Sequence, residues 1–207
     1  MNEKEWLIQG IKQLQEFYAG FGICCQPIME QEFDPYKLER LIHERIPIGT
    51  VRTKSHWMTC LFDSSELHCR GYLDMSSTYR YLGTLEEQRA FIEVRRDCAG
   101  NLYVLICSDG RHLGAEVMSY YSHNGNCEVT EEFVDDLKVV QKYADLNRRI
   151  ILREIVKGMN WTVMGLPFPM SDYMDGLHTV YSFNRHVQKT LERDDECRSG
   201  LQIQVRC

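Results

Sequence analysis

Between Thr50 and Tyr121 apolar and polar residues alternate through several short runs, and a period of two restricts such a segment to strands of a half-buried sheet. Val51, Thr53, Trp57, Thr59 and Leu61 would share one face, with Arg52, Lys54, His56, Met58 and Cys60 opposite. Leu67 to Leu73 sets Leu67, Cys69 and Leu73 against His68, Arg70 and Tyr72. Phe91–Arg96 and Leu102–Cys107 add two more strands, joined across Asp97-Cys-Ala-Gly-Asn101, where Gly100 supplies the backbone freedom of a hairpin loop. Asp63-Ser-Ser-Glu66 reads as another hairpin connection, Thr84-Leu-Glu-Glu87 as a capping box, and His112 to Tyr121 as a fifth strand.

Helical signals flank this region. Asn2 caps a run in which Leu7, Ile11, Leu14 and Tyr18 recur at helical spacing, with Trp6 and Phe17 beside them, until Gly20 and Gly22. Asp34-Pro35 starts a second helix with Leu38, Leu41 and Ile42 inward, ended by Pro47 and Gly49. Thr130 caps the longest, Glu131 to about Lys157, whose stripe of Phe133, Leu137, Val140, Ala144, Ile151 and Ile155 is interrupted by Asp145 and Asn147, the mark of a kink or break. Ser171 opens a last helix through Tyr173, Leu177, Val180, Val187 and Leu191. Leu201, Ile203 and Val205 alternate with Gln202, Gln204 and Arg206 as an added strand would.

The expected fold is therefore α+β: an antiparallel sheet of four to five strands in the middle of the chain, with two N-terminal and two C-terminal helices packed mainly on one face. One domain is expected over 1–207, helical over 1–49, sheet over 50–121, helical over 130–192, and a polar tail over 193–207. At 207 residues, 43% hydrophobic and 26% charged, the chain can bury a sizeable core. No apolar run reaches the roughly 20 residues that span a bilayer. Met-Asn-Glu-Lys-Glu is not the basic-then-apolar opening of an export signal, so a cytoplasmic or nuclear, unsecreted protein is expected, with its nine cysteines as free thiols.

Net charge is −6, yet Thr50 to His112 carries eight basic and eight acidic residues. The acidic excess lies in the flanks, which disfavours long-range attraction to nucleic acid or anionic membrane.

Chemistry-bearing motifs are sparse. There is no glycine-rich phosphate loop, dinucleotide fingerprint, helical zinc pair, nucleophile elbow or Cys-x-x-Cys. Cys107, His112, His123 and Cys127 have zinc-like spacing, but an intervening strand would hold the two pairs roughly 25–30 Å apart at about 3.3 Å per residue. His56 and His68 lie near Cys69, whose alternation with Leu67 and Leu73 turns it inward. Cys24 and Cys25 are read as a loop after the first helix. Glu30 and Glu32 resemble the paired glutamates of tunnel-type phosphohydrolases, which would need Glu93 and several basic residues to converge with them.

The expected binding face is the open side of the sheet: Arg52, Lys54, His56, His68, Arg70, Tyr72, Glu93 and Arg95, with Tyr103 at its margin. Basic side chains interleaved with aromatics suit phosphate contact and base stacking. Trp161, Leu166 and Phe168, in a loop punctuated by Pro167 and Pro169, are the expected interface anchors, with Tyr120 and Tyr121 as further candidates. No cofactor is implied. The functional expectation is a soluble intracellular binding protein, an adaptor, inhibitor or regulatory subunit whose partner is another protein. The alternatives are a hydrolase of a phosphate-containing or nucleic-acid substrate on the basic face, and a non-catalytic RNA or DNA binder.

Overall fold

The computed structural model describes residues 20–49, 62–85, 90–122, 130–170 and 177–183. Five strands form one antiparallel sheet there: β1 (Gly22–Ile28), β2 (Phe91–Arg96), β3 (Leu102–Ser108), β4 (Phe168–Met170) and β5 (His178–Phe183), in the order β4-β1-β3-β2-β5. The helices among these residues are α1 (Pro35–Arg45), α2 (Met75–Tyr81), α3 (Arg111–Tyr121) and α4 (Glu131–Met159). The class is α+β, but the strands are drawn from the whole chain rather than from its middle block.

Where local signals are self-sufficient, the elements form as read. Asp34 accepts hydrogen bonds from the Tyr36 and Lys37 amides, Pro35 opens α1, and Leu38, Leu41 and Ile42 are buried. β2 and β3 pair across a turn in which Asp97 accepts from the Ala99 and Asn101 amides. Thr130 caps α4 through the Phe133 amide, and Asn160, in the left-handed conformation at φ 62°, ends it.

α4 runs unbroken past Asn147. The buried Asn147 amide accepts from the Gly83 N–H (2.6 Å) and donates to the Thr84 carbonyl oxygen (3.0 Å) and Ser108 Oγ (3.3 Å). The polar residue in the stripe is a joint between α4, the 82–85 loop and the end of β3, not a break.

Three expected elements differ. Leu67–Leu73 is a turn ending in a 3-10 segment at Arg70–Tyr72, although Leu67 and Cys69 are buried as their alternation required. The fully buried Asp136 carboxylate on α4 accepts from the His68 N–H (2.7 Å), the Cys69 N–H (3.1 Å) and Tyr121 Oη (3.0 Å), taking up backbone donors that a sheet ladder would have used. His112–Tyr121 lies in helix α3: Leu113 and Val117, four apart, both enter the core, so the helical period wins. His178–Phe183, expected inside a helix from Ser171, is edge strand β5 against β2. Expected elements at 2–19, 51–61 and 184–207, with His123 and Cys127, lie outside the described residues.

Two apolar clusters result. In the first, Cys24, Ile28, Ile92, Val94, Val104, Ile106 and Phe183 of the sheet meet α1 and the second half of α4. In the second, the first half of α4 packs with α2, α3 and Phe62–Cys69. Gly158 belongs to the joint between α1 and α4, because a Cβ there would collide with Leu41.

The sheet does not have one dry and one wet face. Residues alternating with the first cluster, including Cys25, Leu105 and Cys107, are also fully buried. Such burial on both faces gives continuous apolar runs rather than alternation. That is why β1, with Cys24 and Cys25 at its centre, is not a loop.

Candidate functional site

Five of the ten exposed large hydrophobic side chains among the described residues, including the most exposed, lie where the chain leaves α4 and returns beside β1. Leu166 is 83% exposed, Met29 61%, Met164 53%, Val163 41% and Phe168 36%. Thr162 to Met170 contains no charged residue, in a chain that is 26% charged.

The strip is built by a proline. Residues 162–164 run antiparallel to the end of β1: the Met29 N–H donates to Thr162 O (2.8 Å), Val163 bridges Ile28, and the Met164 N–H donates to Pro27 O (3.0 Å). Regular pairing would have the residue at 27 return a bond to Met164 O, but Pro27 has no N–H. The buried Gln26 side chain supplies the donor instead, Nε2 reaching Met164 O (3.2 Å) and Pro27 O (3.0 Å). The ladder then loses step. From Ile28 to Cys25 β1 advances three residues, whereas its partner runs five, from Val163 to Phe168, so two extra residues bulge outward. Gly165, at φ +69°, makes the turn with open space where a Cβ would lie. Leu166 rides on that bulge.

Trp161, expected as an exposed anchor, is only 8% exposed and set edge-on to Phe33 (6.0 Å). It belongs to the first apolar cluster, not to the exposed strip. Along one side runs Glu30–Asp34. Glu30 Oε1 accepts from the Thr162 N–H (2.8 Å), and Glu30 Oε2 is shielded from water without a hydrogen-bond partner. Glu32 and Asp34 are exposed, and Lys37 donates to Met159 O (3.3 Å).

The outer edge of β4 is deficient in donors. Register places Pro169 opposite Cys24, with Cys25 and Ile23 bonding its neighbours, so the Pro169 nitrogen faces away from β1. Pro167 lacks an N–H as well. An edge built this way resists strand addition and leaves side chains as its means of contact.

The residues expected on a basic sheet face are not brought together. Arg52, Lys54 and His56 lie outside the described residues. His68, Arg70 and Tyr72 are exposed on the turn that Asp136 pins, Tyr72 lying against the Tyr120 ring at 4.9 Å. Tyr121 is half-buried between Tyr120 and Phe133, its hydroxyl on Asp136. Glu93 and Arg95 lie on β2 and pair with each other, Arg95 Nη2 to Glu93 Oε2 at 2.6 Å. Arg95 is 4% exposed, so it is not open to water as expected; a paired guanidinium can be closed over where a free one cannot. Tyr103 donates to Asp97. Glu30 and Glu93 answer different partners, the Thr162 amide and Arg95.

The thiols are equally enclosed. Burial pushes Cys24 up to about 11, and Cys25 and Cys107 up to about 12. Cys69 is raised further by burial and by the Asp136 carboxylate. A thiolate nucleophile at neutral pH requires the opposite shift. The His112 ring lies against that of Tyr81 (4.3 Å, tilted by 36°), and its Nε2 is 3.4 Å from Glu116 Oε1. Among the described residues no group of three or more histidines, cysteines or acids is placed to hold a metal ion, and no helix is long and apolar enough to cross a membrane.

Met29, Val163, Met164 and Gln26 were not singled out from sequence. The signal available was the uncharged run from Gly158 to Ser171, fourteen residues that include Gly165, Pro167 and Pro169. Comparison with known proteins finds no matching family and no matching curated sequence.

Proposed function

We propose that the chain is a soluble intracellular binding protein, an adaptor, inhibitor or regulatory subunit, that engages another protein through Met29, Val163, Met164, Leu166 and Phe168. The observation that carries this reading is Leu166, 83% exposed on a two-residue bulge that costs the sheet its regular ladder. Exposed leucines occur singly on many proteins. Five exposed apolar side chains, four of them within one uncharged segment and the fifth on the strand end beside it, are characteristic of interaction surfaces. Methionine adds adaptability, because its unbranched thioether repacks against differently shaped partners.

The test is a random peptide library selected on the immobilised full chain and counter-selected on a Met164→Ser/Leu166→Ser variant. Both positions are exposed, so an unchanged thermal unfolding curve is expected for the variant. Selected peptides should lose most of their affinity for it. Peptides that bind both proteins equally would overturn the assignment of this strip.

A further inference from the structure

The rim of the strip specifies the kind of segment it fits. We infer that the occupant is a basic amphipathic helix of a partner protein, leucine or phenylalanine on one face and lysine or arginine beside it. This deepens the reading of the strip as a protein-binding surface and rests on it.

Three observations carry the inference. The first is charge. The strip contributes none, while Glu30, tied to it by the bond from the Thr162 N–H to Glu30 Oε1 (2.8 Å), is followed in the chain by exposed Glu32 and Asp34. Lys37, the next cation along, is drawn to the Met159 carbonyl oxygen instead.

The second is the state of Glu30. One carboxylate oxygen holds the strip in place; the other is shielded from water with no hydrogen-bond partner. A partly desolvated carboxylate of this kind projects its field into the neighbouring surface more strongly than a hydrated one. An approaching cation gains from that field, and an approaching anion is repelled.

The third is the edge itself. With Pro167 and Pro169 on the outer strand, an incoming extended peptide would find acceptors but too few donors, leaving its own carbonyl groups unpaired. A helix satisfies its own backbone and needs only side-chain contact. Apolar residues at i, i+3, i+4 and i+7 would meet Met29, Met164, Leu166 and Phe168. Basic residues flanking them would meet Glu30, Glu32 and Asp34.

Two fluorescein-labelled helical peptides provide the test, one of leucine and lysine at amphipathic spacing, the other with glutamate at every lysine. Each is titrated with the full chain by fluorescence anisotropy at two salt concentrations. The lysine peptide should bind at least about tenfold more tightly, and added salt should narrow the gap as it screens the rim. Glu30→Gln with Glu32→Gln should weaken the lysine peptide alone; the glutamine at 30 keeps the acceptor for Thr162. Met164→Ser/Leu166→Ser should weaken both peptides. Equal binding of the two peptides, each lost in the serine variant, would overturn the basic-helix inference and leave the strip as the binding surface. Lysine-peptide binding that survives the serine variant would overturn both. Failure of either peptide to bind, while library-selected extended peptides bind the strip, would overturn the helical occupant.

Discussion

The two edges of the sheet solve the same problem in different ways. β5 ends one side, and of its side chains His178, Thr179, Val180 and Ser182 are exposed. Its pairing with β2 slips between Val94 and Arg95, where Tyr181 and Thr179 take successive partners and Val180 is left over. A bulge and polar side chains blunt that edge in the usual manner. β4 ends the other side and is also blunted, by Pro169 and by the bulge at Gly165, but its exposed side chains are apolar. Protection against strand pairing therefore accounts for β5, the exposed Val180 apart, and for β4 only in part. Prolines alone would have sufficed at β4; Leu166, Met164 and Met29 add surface that protection does not require.

Trp161→Ala, at the start of the segment that leads to β4, should cost about 3–5 kcal/mol, by removing a buried aromatic. Val180→Ala at the other edge should change stability by no more than about 0.5 kcal/mol. Urea unfolding of both variants checks the contrast, and equal losses would break it.

The next effect is set by pH. Cys24, Cys25 and Cys107 all lie on β1 and β3, toward the β4 side. An unfolded thiol ionises near 9.0, whereas burial holds these to about 11, 12 and 12 in the fold. Their pKa values are raised on folding, so the stability they contribute is complete below about pH 9. It is lost as pH climbs toward the folded values. The urea midpoint should fall on that alkaline limb, and Cys25→Ala should flatten the fall.

A smaller effect is expected at the bulge. Gln26→Ala strands the Met164 carbonyl oxygen and should cost about 1–3 kcal/mol. Adding Pro27→Ala should recover part of the loss, because the restored N–H can make the missing bond. Absence of any recovery would remove Pro27 as the cause of the bulge.

The smallest change in stability belongs to Leu166→Ser, within about 0.5 kcal/mol. Its effect on binding should nonetheless exceed that of Val180→Ser. If serine at either edge weakens peptide binding alike, the two edges are functionally equivalent and the comparison fails.

The sequence determined what short-range physics determines. Asp34-Pro35 and Thr130 start helices through bonds within one turn, and Phe91–Arg96 pairs with Leu102–Ser108 because alternation and an Asp97-to-Asn101 turn lie side by side. The long stripe from Phe133 to Ile155 survived two polar interruptions. The uncharged loop containing Leu166 and Phe168 was visible as a place for exposed anchors.

Tertiary structure decided the rest, because the competing signals were nearly equal and distant partners broke the tie. Leu67–Leu73 alternates like a strand, yet Asp136, about 67 residues on, captures its amides and makes it a turn. His178–Phe183 carries a helical spacing, yet the free edge of β2 offers a ladder. Cys24 and Cys25 show no period because both faces of β1 are closed. Arg95 reads as a solvated cation until Glu93 neutralises it at 2.6 Å. The strip depends on the same logic: one missing N–H at Pro27 becomes a bulge only because residues 162–168, more than a hundred positions later, lie against it.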